Sequence, residues 1–224
     1  FAGIAAALET KSGKVAVVNG IAYPSNVNYQ YGFMSGVNYA KAKYDAKAEY
    51  VEIPSYAGTD VTNKNVGGNY IGNFSDEATG KVVGKALLDK GVDIMLVAAG
   101  GSGNGVFTAV KEAGNAQVIG CDVDQYDDGA NGDKNIILTS VLKVMHSNVE
   151  KQLEKVLDGS FKGENALLGA DTDSTGYVSA DGRQQLSAET LEKLEDVYKK
   201  VQSGEIVPAA NFNNMTPDNF TGLK

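Results

Sequence analysis

The stretch Ala98-Ala99-Gly100-Gly101-Ser102-Gly103-Asn104-Gly105-Val106-Phe107 constrains the fold of this chain more than any other. It follows the apolar run Asp93-Ile94-Met95-Leu96-Val97 and leads into a helical pattern of Val106, Phe107 and Val110. A strand, a glycine-rich turn and a helix in that order bring backbone N–H groups and a helix N-terminus to one place. Further along, a second strand ends in Val118-Ile119-Gly120-Cys121-Asp122-Val123-Asp124-Gln125, which sets carboxylates at the same edge of the sheet.

The rest of the first 145 residues repeats this alternation. Val15-Ala16-Val17-Val18 reads as a buried strand, and a helix follows from about Asn28 to Tyr44. Tyr50-Val51-Glu52-Ile53 reads as a further strand, and the polar excursion 57–69 as a surface insertion. Ser75-Asp76-Glu77 offers a capping hydroxyl and two acids to a helix that buries Val82, Val83, Ala86 and Leu87 and stops at Gly91. Strands at 93–98, 116–121 and 136–140, with a helix at 105–113, complete the series. Such alternation with short turns predicts an α/β fold, a Rossmann-like parallel sheet covered on both faces.

After His146 the pattern changes. Val149, Leu153, Val156 and Leu157 mark an amphipathic helix ending at Gly159, and residues 167–184 suit short strands and turns. Ser187 is placed to cap a last helix that carries Leu191, Leu194, Val197, Tyr198 and Val201 on one face. With no convincing sheet of its own, this tail is expected to pack on something other than the preceding lobe. The opening Phe1-Ala2-Gly3-Ile4-Ala5-Ala6-Ala7-Leu8 reads as the middle of a helix, and the chain as a fragment or processed form.

Composition removes several function classes. A net charge of −8 argues against binding nucleic acid or an anionic membrane through bulk charge. Cys121 and His146 are the only residues of their kinds, so no Cys/His zinc cluster can be built, and a Ser-His-Asp triad would need His146. Cys121 lies in a buried strand and reads as a core thiol rather than a nucleophile. No metal, cofactor or catalytic residue is expected. The glycine turn is not a dinucleotide fingerprint, since the third glycine position counted from Gly101 is Val106, and no Gly-Lys-Ser/Thr follows to make a phosphate loop.

In an open parallel sheet, ligands bind beyond the carboxyl ends of the strands. Asn19-Gly20, Tyr70–Asp76, Gly100–Gly103, Asp122–Gln125 and Thr139–Lys143 all fall at such ends. Each has an ordinary explanation beside a functional one. The glycines suit a tight turn or a ligand-lining backbone. Asp122 caps a turn or accepts hydrogen bonds from vicinal hydroxyls. Phe74 folds into the core or stacks on a flat ligand. Lys143 is solvated or donates to a ligand oxygen.

Pro24-x4-Tyr29-x3-Phe33-x2-Gly36, Gly72-Asn73-Phe74-Ser75-Asp76, the 98–107 stretch, Val118–Gln125 and Leu138-Thr139-Ser140-x2-Lys143 resemble the basic membrane protein family. These are substrate-binding lipoproteins of nucleoside ABC transporters, similar to the purine-nucleoside receptor of spirochaetes. The resemblance runs from Phe1 to about Pro208. It implies a type I periplasmic-binding fold with a partial second lobe. Residues 1–14 would be a hinge-proximal helix and 15–145 the C-terminal ligand-binding lobe. Residues 146–224 would return to pack on an N-terminal lobe lying before Phe1. Phe74 would stack on a purine base, the Gly100 backbone line the pocket, Asp122 hold ribose hydroxyls and Lys143 donate to the sugar. The implied protein is not an enzyme: it captures a nucleoside outside the cytoplasm, tethered by a lipid anchor absent from this chain, and delivers it to a membrane permease. A ligand-sensing regulator of the same fold and a nucleoside-processing enzyme on a doubly wound sheet are the alternatives. The family's phenylalanine at Tyr29 and methionine at Ile21 are changed here, and the 57–69 insertion is unusual.

Overall fold

Val15, Ala16, Val17 and Val18 are all completely shielded from solvent, as a strand's residues are when both faces of its sheet are covered. In the computed structural model, which describes residues 1–224, they form β1 (Lys14–Asn19). Around it stand β2 (Glu49–Tyr50), β3 (Ile94–Ala98), β4 (Gln117–Asp122), β5 (Ile137–Lys143) and β6 (Thr175–Tyr177), in the spatial order β6-β5-β4-β3-β1-β2. All pairings are parallel except that of β6 with β5, which is antiparallel at the sheet's edge. The helices are α1 (Ala2–Glu9), α2 (Pro24–Tyr44), α3 (Glu77–Asp89), α4 (Gly103–Ala113), α5 (Met145–Asp158) and α6 (Ala188–Gln202).

The two-residue period of the strands divides the core into two layers. Val15, Val17, Ile94 and Leu96 face Ile4 of α1, Phe33 and Val37 of α2, and Leu194 and Val197 of α6. Ala16, Val18, Met95 and Val97 face Val83 and Leu87 of α3 and Val106, Phe107 and Val110 of α4. The expected α/β architecture is thus present, as a sheet between two helical layers. No helix is long and apolar enough to cross a membrane.

Several local expectations need correction. Pro24 occupies the first helical position, where its missing N–H costs nothing, so α2 starts four residues before Asn28. The strand at 50–53 pairs as a ladder only over Glu49–Tyr50. Beyond it the buried Asn69 side chain takes over, donating to the carbonyls of Val17 and Val51 at 3.0 Å each and accepting from the Ile53 N–H at 2.9 Å. The 57–69 excursion forms a small hairpin of Gly58–Thr59 with Asn65–Gly67. Val82 is exposed, because α3 approaches α4 through Gly80 and Gly84 instead, and a Cβ on Gly80 or Gly105 would strike the opposing backbone.

The cap of α3 is Asp76, whose Oδ1 accepts from the Thr79 N–H at 3.0 Å, whereas the Ser75 hydroxyl donates to Asn73. Asp76→Ala is therefore expected to lower the melting temperature by about 2–4 °C, and Ser75→Ala by less than about 1 °C. Thermal denaturation of the two variants checks the assignment, and the reverse order would contradict it.

The last helix departs from expectation. Capped by Ser187 as expected, α6 is partnered within this lobe: Leu194 is fully buried, Val197 nearly so, and the helix packs against α1. Ile206, Ala209 and Phe220 of the C-terminal segment enter the same core layer. The last helix and the C-terminal segment thus pack on this lobe's own core. The helix whose apolar stripe faces outward is α5, where Val149, Leu153 and Val156 are more than half exposed and Leu157 is 88% exposed.

Candidate functional site

Because β1, β3, β4 and β5 run parallel, their carboxyl ends lie along one edge, with β1 and β4 flanking β3. The chain leaves β1 toward β2 on one side and β3 toward β4 and β5 on the other. The crevice above such a reversal is where an open α/β sheet offers a ligand space. A cleft of about 460 Å³ opens there, and Phe74, Gly100, Asp122 and Lys143 all line it. The four residues come from four separate segments and meet only through the sheet topology.

Phe74 is delivered by a segment that runs beside the end of β1. The Ile71 and Gly72 N–H groups donate to the Asn19 and Gly20 carbonyls at 2.9 and 2.8 Å. The loop is then stitched to the glycine turn. Ser102 donates from its N–H to the Phe74 carbonyl at 3.0 Å and from its hydroxyl to the Asn73 carbonyl, while its hydroxyl accepts from the Asp76 N–H. The half-buried Phe74 ring lies over Gly20, where any Cβ would overlap it, and 6.0 Å from the Tyr23 ring centroid. Gly100 turns beneath it with φ +54°, a conformation that favours glycine.

Asp122 ends β4 with φ +70°, a left-handed conformation that Asp and Asn tolerate best among residues with side chains. Its carboxylate is gripped from two sides. The Tyr29 hydroxyl of α2 donates to Oδ1 at 2.6 Å, and the Lys143 ammonium of β5 lies 3.0 Å from Oδ2. Partial burial opposes ionisation of this carboxyl, but the hydrogen bonds from Tyr29 and Lys143 and the lysine charge outweigh it and hold it below the usual carboxylate range. Burial pushes the neighbouring Cys121 thiol up to about 12, which leaves it protonated and a poor nucleophile. No three His, Cys, Asp or Glu side chains lie close enough together to hold a metal ion.

Three further residues line the cleft, of which Tyr29 and Gln125 lie in motifs the sequence offers, without a role assigned to them, and Asn26 does not. Asn26, in the first turn of α2 ahead of the helix start expected at Asn28, donates to the Ala98 carbonyl at 2.8 Å. Gln125 accepts from the Cys121 N–H at 2.9 Å and so folds the loop after Asp122 back on its own strand. Tyr29 meets Asp122 across 93 residues, a pairing no local pattern announces. A second, more apolar crevice of about 240 Å³ between α1, α2 and α6 shares Tyr29 but none of the four predicted residues.

A model of the family described as ABC transporter substrate-binding protein PnrA-like matches residues 56–211, which span the Phe74 loop, the glycine turn, Asp122 and Lys143. The chain belongs to that family. It is 31% identical over 98% of its length to basic membrane protein D of Borreliella burgdorferi, covering 58% of that protein. It is 30% identical over 73% of its length to the ABC transporter nucleoside-binding protein BmpA of Lactococcus lactis, covering 44% of it. The chain spans about half the length of the curated relatives it matches. Among solved structures, a solute-binding protein of an ABC transporter system from Aeropyrum pernix superposes with a TM-score of 0.71 at 23% identity, over 95% of this chain and 64% of that one. The fold is accordingly that of the periplasmic-binding type expected from the resemblance, and the PnrA-like family is one of substrate-binding proteins, with a nucleoside-binding relative.

Proposed function

We propose that the chain binds a purine nucleoside in the cleft at the carboxyl edge of its sheet. It would do so as the extracytoplasmic, lipid-anchored substrate-binding component of an ABC transporter, and pass the nucleoside to the permease without chemical change. The observation that carries this reading is the polarity of the cleft. One wall is an aromatic ring, Phe74, above a glycine backbone, and the other is an Asp122–Lys143 pair. A flat base suits the first, since stacking on an aromatic face needs no particular hydrogen-bond pattern. Vicinal hydroxyls suit the second, because an ionised carboxylate accepts at both oxygens and the ammonium donates.

The volume of the cleft lies within the range of small-molecule sites. The Lactococcus lactis relative, a nucleoside-binding protein by name, supports the same ligand class. The protonated Cys121 offers no activated nucleophile, in keeping with binding rather than turnover.

Saturation-transfer NMR with inosine, hypoxanthine, ribose and glucose on the purified chain tests the reading. Inosine is expected to receive saturation at both its base and its ribose protons and to compete with guanosine. Preference for glucose, or a base-only signal equal for inosine and hypoxanthine, would contradict it.

A further inference from the structure

Tyr29 touches the one carboxylate of the cleft, and the manner of that contact carries a further assignment. We propose that Tyr29 is a positioning residue: its hydroxyl fixes the orientation of the Asp122 carboxylate and thereby makes the cleft selective for vicinal hydroxyls. The proposal rests on the nucleoside reading for its ligand and on geometry for its mechanism.

Asp122 sits at a strand end in a left-handed conformation, and its side chain springs from a tight turn in which the Val123 N–H donates to the Cys121 carbonyl at 2.9 Å. A carboxylate in such a place has freedom about its side-chain torsions unless something outside the turn holds it. The groups that face it are Tyr29 from α2, Lys143 from β5 and the Cys121 thiol of its own strand, the last only a long contact at 3.5 Å. Lys143 is itself more than half exposed on a flexible stem, so it supplies charge more than direction. Tyr29 is the rigid partner. Its ring is half-buried near the start of a 21-residue helix, and its hydroxyl reaches Oδ1 at 2.6 Å.

With one acceptor site on Oδ1 used by Tyr29 and one on Oδ2 by Lys143, the remaining lone pairs keep a set direction. Two adjacent ligand hydroxyls can then bond one carboxylate at once, without an ordering cost at the moment of binding. Burial also holds the Tyr29 phenol in its protonated, donating form, since its ionisation is pushed above the ordinary tyrosine range.

The test is Tyr29→Phe, which keeps the ring and removes the hydroxyl. In the ligand-free chain, carbon-13 NMR of the Asp122 carboxyl should show its titration midpoint rising in the variant, because a hydrogen bond that favours the ionised form is gone. Affinity for inosine should fall about tenfold or more, while affinity for 2′,3′-dideoxyinosine, which lacks both hydroxyls, changes less than about twofold. A purely structural tyrosine would weaken both ligands alike, and equal losses, or an unmoved Asp122 titration, overturn the proposal. If the unmodified chain takes up neither nucleoside, the nucleoside reading fails on its own, and the carboxyl titration still decides whether Tyr29 holds Asp122.

Discussion

Asp122→Asn is expected to weaken nucleoside binding by roughly 1.5–3 kcal/mol, that of a hydrogen bond to a charged group, while leaving the fold in place. Asparagine is the informative substitution here. It tolerates the left-handed conformation that the residue adopts at φ +70°, so the turn after β4 survives, whereas alanine would add backbone strain to the loss of the charge. The amide oxygen can still accept from Tyr29. What disappears is the ionised acceptor facing the sugar and the partner of Lys143, 3.0 Å away. Calorimetry should show the affinity for nucleoside falling and that for the free base hardly changing. An equal loss for both would mean that Asp122 acts by shaping its loop.

Phe74→Ala is expected to produce a loss of similar size, ~1–3 kcal/mol, on the other half of the ligand. The ring is half-buried against Gly20 and near Tyr23, so part of its contact is with the protein itself and a modest drop in melting temperature will accompany the substitution. The distinguishing result is the ratio of effects. Binding of nucleoside and free base should fall together, opposite to the pattern at Asp122. A variant that lost several degrees of melting temperature and bound normally would make Phe74 a packing residue.

Much of the fold was legible because its signals are local. Runs such as Val15–Val18 and Ile94–Ala98 are apolar without alternation, which only a strand covered on both faces requires, and the strand order then sets their carboxyl ends side by side. The glycine turn and Asp122 were legible as strand ends for the same reason. Errors arose where the deciding partner is distant in sequence. The stripe on α6 looked unpartnered because α1, which covers it, lies almost at the other end of the chain. The equally clear stripe on α5 is the one left facing outward, so periodicity identified the apolar face of each helix but not what covers it. Asp76 displaced Ser75 as a cap through a one-residue difference in where α3 begins, and the pairing of Tyr29 with Asp122 comes from tertiary contact alone.

Whether Phe74 and Asp122 hold the two halves of one nucleoside in the same cleft is tested most directly by a crystal structure of the chain grown with inosine. The base is expected against the Phe74 ring and the ribose hydroxyls within hydrogen-bonding distance of the Asp122 carboxylate. Inosine lodged instead in the apolar crevice between α1, α2 and α6, or seated in the cleft with its sugar turned away from Asp122, would contradict it.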